Sequence, residues 1–333
     1  MSSCLITGAN GFIGSNLCRH LLARGVRVYA FVRETSDLRF LEGLDVCLIR
    51  GDLRETAKIR IPDDISAVVH SASLVSDVAV EKACDLNIFQ ATVNLVRKLQ
   101  AAERPLRRFV YLSTALVLGY NSVGITEDRP GQSAEFLPYT RQKKRAERFL
   151  LSEHAERGLP VVILRPGDVY GPNDRTTCAQ IFRGCERGVP LIVGHGRWRF
   201  GYCYVGNLCQ AVELAINREG IEGQAYTVTN GELPTWRRFF KAVQKRLGKR
   251  QRVYIPIWFA FALAGLMTGL QKVFPGYQPP LNYYRIKRIT TETTYDISRT
   301  VAELGYRPDD NFEAQMAEIL NWYLQERKHG TLA

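Results

Sequence analysis

The sequence lacks the paired cysteines that mark a metal site or a disulfide framework. Its eight cysteines include no Cys-x-x-Cys motif, and several lie in apolar runs, where a reduced thiol behaves as a small hydrophobic side chain. They are Cys4, Cys18, Cys47, Cys84, Cys178, Cys185, Cys203 and Cys209. We therefore expect neither disulfide bonds nor a bound metal ion.

The sequence also lacks a cleavable secretory signal. Met1-Ser2-Ser3 leads directly into an apolar stretch, which leaves no room for a charged region, a longer apolar region and a small-residue cleavage site. We therefore expect the protein to stay in the cytoplasm. Its 333 residues, 46% of them hydrophobic, suffice for a large domain that carries a second, smaller one.

Acidic residues are absent from a long stretch near the C-terminus. Between Trp236 and Arg288 there are 12 basic residues and no Asp or Glu, whereas the rest of the chain balances 33 basic against 33 acidic residues. The formal net charge of +12 therefore resides in this acid-free segment. A local block of positive charge indicates a local anionic partner, because general nucleic-acid affinity would spread basic residues over a recognition face. We expect no nucleic-acid partner.

The acid-free segment combines a basic amphipathic pattern with an uncharged run. A predicted helix has its apolar face at Trp236, Phe239, Phe240, Val243 and Leu247, and basic residues occupy the remainder. Residues 253–271 then carry no charge. These 19 residues approach the length of a membrane span, but proline and glycine interrupt them, which favours a helix lying in the membrane interface. The hypothesis is peripheral attachment to an anionic leaflet; a core element, a lid over the substrate and a subunit contact are the alternatives.

The N-terminal part contains a glycine-rich run at a strand-to-helix junction. Residues 4–6 form a short apolar strand, an amphipathic helix follows, and residues 26–32 form a second strand. Gly8, Gly11 and Gly14 permit a tight turn, close backbone approach to a pyrophosphate and close packing of the helix. This β-α-β unit predicts a bound dinucleotide. Its expected contacts in the run are Thr7, Gly8, Asn10, Gly11, Phe12, Ile13 and Gly14.

Apolar strands alternate with helical patterns through the first half of the chain. Further strands are expected at 47–49, 67–70, 109–113 and 161–164. This order predicts an α/β fold, a Rossmann-type doubly wound parallel sheet with a smaller, mostly helical C-terminal substrate domain. Residues 1–172, together with about 202–228, would form the cofactor domain, and residues 173–201 and 229–333 would form the substrate-binding region.

A Tyr-x-x-x-Lys pair provides the candidate proton-transfer group. Tyr139 and Lys143 stand four residues apart in a helical pattern, so their side chains share one helix face. A nearby ammonium group would favour the phenolate, because an opposite charge lowers the pKa of a tyrosine. Ser113 and Thr114 end a predicted strand at the sheet edge where ligands bind. Thr114 would hold a substrate carbonyl while Tyr139 delivers the proton; hydroxyls that merely cap their own backbone are the alternative.

Together these residues resemble the extended short-chain dehydrogenase/reductase family, also called the NAD-dependent epimerase/dehydratase family. The resemblance extends over nearly the whole chain: the glycine-rich run, Gly51-Asp52-Leu53, Val69-His70-Ser71-Ala72, Asn87, Ser113-Thr114, Tyr139 with Lys143, and Leu164 to Pro172. It implies that Tyr139 is the catalytic acid/base, that Lys143 lowers its pKa and binds the nicotinamide ribose, and that Thr114 orients the substrate oxygen. The family places this hydroxyl five residues before a glycine, here Gly119, which selects Thr114.

The same resemblance implies further contacts and a partner. The additional cofactor-binding residues are Asp52, Leu53, Ser71, Ala72, Pro166, Gly167 and Val169. In this family the helices that here cover about residues 87–99 and 139–151 usually form a dimer bundle, so the resemblance implies a homodimer.

The end of the second strand bears on the choice of cofactor. NAD-preferring members place an acidic residue there, where it accepts from the ribose 2′-hydroxyl, but this chain has Val32 followed by Arg33. A guanidinium can grip a 2′-phosphate through two hydrogen bonds. The sequence therefore favours NADP(H), with NAD(H) and a merely solvent-facing Arg33 as alternatives.

Two departures from the family pattern bear on the substrate. Nucleotide-sugar enzymes commonly have Asn where this chain has Asp168, and a carboxylate there would repel a diphosphate. They also usually have Arg at the position of Phe200, although Arg199 is adjacent. The expected substrate contacts are Ser73, Thr114, Asp168 and Phe200.

These departures favour the branch that resembles 3β-hydroxysteroid dehydrogenases and dihydroflavonol reductases. The resemblance implies an oxidoreductase that interconverts a secondary alcohol and a ketone on a lipophilic substrate, which would be sterol-like, polyketide-like or a β-keto acid. A nucleotide-sugar epimerase or dehydratase with tightly bound NAD(P) is the first alternative. A non-catalytic NADP(H)-binding regulatory module is the second.

Overall fold

A parallel sheet of seven strands forms the centre of the cofactor-binding part. The computed structural model describes residues 3–55, 59–102, 105–188, 192–248, 254–274 and 281–330, with the backbone alone at 271–273. The strands are β1 (Ser3–Thr7), β2 (Arg27–Val32), β3 (Val46–Arg50), β4 (Ala67–His70), β5 (Arg108–Leu112), β6 (Val161–Pro166), β7 (Asp168–Tyr170), β8 (Tyr202–Tyr204) and β9 (Gln224–Val228). The sheet has the order β3-β2-β1-β4-β5-β6-β9, while β7 and β8 form a separate parallel pair.

Helices cover both faces of this sheet and form most of the C-terminal region. They are α1 (Phe12–Leu22), α2 (Glu81–Cys84), α3 (Ala91–Gln100), α4 (Pro138–Arg157), α5 (Thr177–Glu186), α6 (Val205–Asn217), α7 (Trp236–Leu247), α8 (Ile257–Val273), α9 (Tyr283–Thr290), α10 (Ser298–Leu304) and α11 (Phe312–Lys328). A π-helical stretch, Asp85–Gln90, joins α2 to α3, and short 3-10 turns lie at Arg39–Leu41 and Ala115–Leu118. The predicted doubly wound α/β fold with a helical C-terminal part is confirmed.

Burial on both faces explains why the sheet strands are nearly continuous apolar runs. In β2, Val28, Ala30 and Val32 pack against the core beneath α1 and α6, whereas Tyr29 and Phe31 point to the opposite core beneath α3 and α4. A parallel strand sandwiched between two helical layers needs apolar side chains at successive positions. The strands predicted from apolar runs are therefore found within one or two residues of their expected ends.

The direction of the chain connections places a crevice between β1 and β4. β1 pairs with β2 on one side and with β4 on the other, and Thr7 at the end of β1 lies opposite His70 at the end of β4. The connections that leave these two strand ends run to opposite sides of the sheet. Ligands of doubly wound sheets bind at such a switch point, outside the carboxyl ends of the strands.

The C-terminal helices build their own cores beside this crevice. The apolar side of α7, which includes Trp236, Phe239 and Val243, is buried against α5 and α11, as its sequence pattern predicts. α8 and α9 pack on each other around Ala260 and Ile286. Parts of the acid-free segment, residues 249–253 and 275–280, lie outside the described residues. Among the described helices, none combines the length and the apolar character required to cross a bilayer.

Candidate active site

The glycine-rich run makes a tight turn between β1 and α1. Gly8 has a φ of +65°, and its amide donates to the carbonyl of Phe31, with 3.1 Å between the heavy atoms. A Cβ at Gly14 would lie 2.2 Å from the carbonyl oxygen of Gly8, so only glycine lets the helix pack this closely on the turn. Gly11 is the extended residue just before Phe12, the first residue of α1.

The N-terminus of α1 fits a pyrophosphate. This helix end has neither a side-chain hydrogen-bond cap nor an acidic residue in its first turn. The Gly11 amide donates to the Gly8 carbonyl at 3.0 Å. The first-turn amides of Phe12 and Ile13 have no intrahelical acceptor, so they combine free donors with the positive end of the helix dipole. Asn10 flanks the turn, where its side-chain amide donates to the carbonyl of Asp37 at 3.2 Å.

A buried hydrogen-bond network ties the turn to the end of β4. The Thr7 hydroxyl lies 2.7 Å from Nδ1 of His70, whose Nε2 lies 3.0 Å from the hydroxyl of Thr92. Ser71 donates to the carbonyl of Thr7 at 2.6 Å, and the Ala72 amide donates to the Thr7 hydroxyl at 3.2 Å. Burial, reinforced by the charge of Lys143, lowers the pKa of His70 to about 3. His70 is therefore neutral and positions the crevice wall.

Thr114 and Tyr139 meet above the end of β5. Thr114 follows the strand in an extended conformation, and Tyr139 is the second residue of α4. The nearby Thr114 hydroxyl favours the phenolate, but burial has the larger effect and raises the pKa of Tyr139 well above its usual value. The phenol is therefore a proton donor at neutral pH in this structure.

The amine of Lys143 is held at the end of β5. Its Nζ atom donates to the carbonyl of Leu112 at 2.6 Å and lies 4.7 Å from the ring centroid of Tyr111. Burial lowers the pKa of Lys143 to about 7, against the opposing effect of Glu147. The backbone carbonyl at the end of β5, rather than the phenol, holds the amine.

Sequence reasoning missed an ion-pair network behind Lys143. Glu147, one turn further along α4 and only 4% exposed, accepts from Nε of Arg165 at 3.0 Å and from its Nη2 at 2.7 Å. Arg165 also pairs with Glu127. The four-residue spacing between Lys143 and Glu147 could have indicated that the two side chains are neighbours, because residues i and i+4 share a helix face. Next to the buried amine of Lys143, the network therefore alternates negative, positive and negative side chains.

The pH dependence of stability tests the environment of Lys143. The pKa of a buried lysine near 7, below the ordinary 10.5, means that the unfolded chain binds an extra proton between these values. The free energy of unfolding should therefore rise as the pH increases from about 7 to about 10, by at most about 5 kcal/mol. In urea titrations, Lys143→Met should lose this rise and Lys144→Met should keep it. Equal pH slopes in both variants would contradict the assignment.

α9 brings a tyrosine and an arginine into the crevice that the sequence pattern did not place there. Arg288 forms an ion pair with Asp168, and its Nη1 atom donates to the hydroxyl of Tyr284 at 3.1 Å. Tyr284 packs edge-on against Tyr120 and Phe136, with ring centroids 5.4 Å apart in both cases. The carboxylate of Asp168, an expected substrate contact, is therefore neutralised by Arg288 in this structure.

A second ion pair joins α9 to the loop after β4. Nε of Arg285 lies 2.6 Å from Oδ2 of Asp77. This pair and the Arg288–Asp168 pair show that part of the positive charge of the acid-free segment is neutralised by ion pairs within the protein. α9 therefore bridges two walls of the crevice.

Phe200 does not line the crevice, contrary to its expected substrate contact. Its side chain is 1% exposed and stacks on Trp236, with 3.9 Å between ring centroids and an interplanar angle of 11°. The neighbouring Arg199 is half-exposed and pairs with Glu292 at 2.6 Å. The structure therefore assigns Phe200 to the aromatic core of the C-terminal region.

The remaining expected cofactor residues lie around the crevice. Arg33 is exposed immediately after β2, whereas the carboxylate of Asp52 pairs with Arg54 at 2.6 Å. Leu53 is buried, and its carbonyl accepts from Asn94 at 2.9 Å. Pro166 is the last residue of β6, Gly167 links β6 to β7, and Val169 lies in β7.

Two unsatisfied hydroxyls support a ligand site at this edge. The Oγ atoms of Ser73 and Ser113 are buried and have no hydrogen-bond partner within the described ranges. Buried polar groups in native proteins are nearly always paired with protein, water or a ligand. Both serines follow the ends of neighbouring strands, β4 and β5, and their free hydroxyls fit a polar ligand group such as a carboxamide.

Comparison with known proteins agrees with this geometry. The model of the NAD dependent epimerase/dehydratase family matches residues 4–229. Sterol demethylase protein B of Methylococcus capsulatus is 33% identical over 335 residues, which cover 96% of this chain and 97% of that protein. A 3 beta-hydroxysteroid dehydrogenase/Delta 5-->4-isomerase of Mycobacterium tuberculosis is 29% identical, with 96% and 90% coverage.

A solved structure shares the fold. The crystal structure of UDP-glucuronic acid 4-epimerase from Bacillus cereus, in complex with UDP-glucuronic acid and NAD, superposes with a TM-score of 0.76. The match is 22% identical in sequence and covers 97% of this chain and 99% of the epimerase chain. At this identity the likeness establishes the architecture alone.

Proposed function

Because the chain belongs to the NAD-dependent epimerase/dehydratase family, we propose that it interconverts a secondary alcohol and a ketone by hydride transfer. Membership makes it an enzyme of the extended short-chain dehydrogenase/reductase type, so the non-catalytic alternative is set aside. The observation that carries the proposal is the proximity of the Thr114 and Tyr139 hydroxyl groups beside the carboxyl end of β5. Such a pair can hold one oxygen atom and exchange its proton.

Each residue of the crevice has a separate role in the proposed reaction. Thr114 and Tyr139 hold the substrate oxygen, and in the reductive direction Tyr139 donates its proton to it. The bound nicotinamide supplies the hydride to the carbonyl carbon, or accepts it in the reverse reaction. Lys143, with its pKa lowered to about 7, lies behind the tyrosine and would bind the nicotinamide ribose. The amides at the start of α1 would hold the pyrophosphate.

We propose NADP(H) as the preferred dinucleotide, because Arg33 is exposed at the end of β2 and no acidic residue occupies that strand end. Arg33→Asp removes the cation and adds a repelling carboxylate, so NADPH should bind at least about 30-fold more weakly while NADH binding is kept or improved. Fluorescence titration of both cofactors measures the change. Arg187→Asp, an equal charge change at an exposed position on another element, is the matched control. Unchanged NADPH affinity in Arg33→Asp would refute the preference.

The crevice wall supports a lipophilic substrate. Tyr120, Phe136 and Tyr284 form an aromatic cluster beside Tyr139, and the only arginine of α9 that contacts this cluster is already neutralised by Asp168 within the described structure. The ion pair leaves little net charge to attract a diphosphate. Relatives named for sterol and hydroxysteroid chemistry support the same substrate class. We therefore propose a sterol-like, polyketide-like or β-keto acid substrate.

The presence of Arg288 keeps nucleotide-sugar epimerisation or dehydration as the second candidate. A buried guanidinium beside the catalytic tyrosine would hold a diphosphate if Asp168 released it. Calorimetric titration of UDP-glucose into the protein with bound cofactor separates the two candidates. We expect that the native chain does not bind UDP-glucose. The Asp168→Asn variant should bind it measurably, because Arg288 loses its anionic partner.

A substrate screen tests the proposed reaction directly. NADPH and NADH oxidation is followed with sterones, β-keto acids, flavanonols and nucleotide sugars at equal concentration. We expect turnover with at least one lipophilic ketone and none with nucleotide sugars. Epimerised nucleotide sugar without any ketone reduction would replace the proposal by the second candidate.

We also propose that the enzyme is a homodimer and that residues 1–172 with about 202–228 form its cofactor domain. Support for the domain boundary comes from β9, which lies in the main sheet although it follows β8 in the chain. The dimer proposal rests on the family likeness of the helices around 87–99 and 139–151. Sedimentation equilibrium measures the mass.

A further inference from the structure

α8 exposes an apolar face that no described part of the chain covers. One side of the helix packs Ala260 and Ala264 against Val193 and Ile286. On the other side, Trp258 is 72%, Phe259 48% and Leu266 63% exposed. At 100° per residue these three side chains, with Ala262 and Leu270, occupy one arc of the helix. Large aromatic and aliphatic side chains concentrated in this way mark an interaction surface rather than ordinary surface exposure.

The surroundings of this face are basic. α7 begins beside α8, because the amide of Arg237 donates to Gly196 at 2.7 Å while the amide of Gly194 donates to Ile255 at 2.9 Å. Arg237 and Lys241 are exposed one turn apart on α7, and neither forms an ion pair within the described ranges. The acid-free segment contributes no carboxylate to offset them. The face therefore has the charge pattern that complements an anionic surface.

The exposed face is continuous with the crevice. Phe261 of α8 packs on Tyr283 of α9, with 4.6 Å between ring centroids. The next residue, Tyr284, contacts Phe136 and raises the pKa of Tyr139 through its proximity. Aromatic side chains of α8 and α9 therefore lie between the outer face of α8 and the surroundings of Tyr139.

We propose that the exposed face of α8 docks on the surface of an anionic lipid bilayer and admits the lipophilic substrate to the crevice past α9. The lipophilic nature of the substrate rests on the proposed function, whereas the docking on a bilayer does not. A second copy of this chain fits the face less well, because the exposed Arg237 and Lys241 of the two copies would then oppose one another. Aromatic residues flanked by arginine and lysine are the composition of helices that lie in a membrane interface.

Vesicle binding of the full chain tests the docking. The protein is sedimented with sucrose-loaded vesicles of phosphatidylcholine, with and without phosphatidylglycerol. Binding should require phosphatidylglycerol and weaken with salt. The double variant Arg237→Gln, Lys241→Gln should bind about 25-fold more weakly, since each basic residue near such a surface changes binding about fivefold. Its control is Arg307→Gln, Lys328→Gln, which removes two exposed charges elsewhere and should bind normally.

The apolar face needs a separate variant. Trp258→Glu should weaken vesicle binding at least about tenfold, whereas Val301→Glu, at an exposed apolar position of α10, should not. In the native chain, vesicles should shift the tryptophan emission to shorter wavelength, and Trp258→Phe should lose the shift. Ketone turnover without vesicles should be equal in Trp258→Glu and the native chain.

Three outcomes would overturn the docking. They are equal binding to neutral and anionic vesicles, unchanged vesicle binding by Trp258→Glu, and a Trp258→Glu variant that dissociates an oligomer without affecting vesicle binding. The last would identify the face as a contact between copies. Absence of ketone turnover in all variants would instead refute the proposed function and leave the docking result standing.

Discussion

Tyr139→Phe should lower kcat for ketone reduction by about 1,000-fold, the usual contribution of a positioned general acid. The variant keeps the ring and removes only the hydroxyl group, which lies near Thr114. Cofactor binding, measured by fluorescence titration, should change little, because the pyrophosphate contacts at the start of α1 are untouched. Tyr254→Phe, at a half-exposed position outside the crevice, is the control and should retain full activity.

Two substitutions of Thr114 complement this experiment. Thr114→Ala removes the hydroxyl that shares the substrate oxygen, whereas Thr114→Ser restores it on a smaller side chain. The alanine variant should lose about 100-fold in kcat and the serine variant should recover most of it. If Tyr139→Phe keeps more than a tenth of the native kcat, the proposed acid is wrong.

The direction of the Tyr139 pKa shift adds a pH dependence. Because burial raises this pKa, the phenol stays protonated through neutral pH and is ready to donate in the reductive direction. Alcohol oxidation needs the deprotonated form to accept a proton. The rate of oxidation should therefore increase with pH above neutrality while the rate of reduction does not, when both are measured at saturating substrate.

Gly14→Ala should remove most cofactor binding and destabilise the fold. The new Cβ would lie 2.2 Å from the Gly8 carbonyl oxygen and 2.7 Å from the Ala9 Cα, so backbone must move rather than a flexible side chain. We expect the free energy of unfolding to fall by about 2–4 kcal/mol, and the cofactor Kd to rise at least about 100-fold as the turn shifts away from α1.

Gly265→Ala is the matched control for this substitution. Gly265 lies in α8, and a Cβ there would meet no atom of the described residues within 4 Å. Alanine in an exposed helix interior should stabilise the chain by about 0.5–1 kcal/mol. Urea titration and cofactor titration of both variants give the comparison. A Gly14→Ala protein as stable as the native chain, with native cofactor affinity, would show that close packing at the turn is dispensable.

Local patterns were enough to predict the sheet and the cofactor turn. The strand ends near Thr7 and His70 follow from apolar runs, and the glycine spacing follows from the geometry of a single turn. The helical spacing of Tyr139 and Lys143 likewise depends on residues four apart. These features could be recognised because their causes lie within a few neighbouring residues.

The pairing of distant charges could not be predicted in this way. Asp168 and Arg288 lie 120 residues apart in the chain and meet only when α9 packs across the crevice. The neutralisation of the Asp168 carboxylate could therefore not be predicted from residues near it in the chain. The predicted substrate contact of Phe200 was wrong for a similar reason, because its stacking partner Trp236 belongs to another element. Nothing near Phe200 in the chain distinguishes a core side chain from a crevice side chain.

Local sequence patterns were sufficient for the α/β fold and the glycine-rich turn, and the family resemblance identified Thr114, Tyr139 and Lys143 as candidates. The charge states of these groups, and the choice of which basic residues face outward, depend on how the chain packs. Packing removes water from around Tyr139, holds Lys143 on the Leu112 carbonyl, and pairs Arg288 with Asp168. The physical reason is that periodicity and turn geometry are local, whereas desolvation and ion pairing depend on whatever the rest of the chain packs against a side chain.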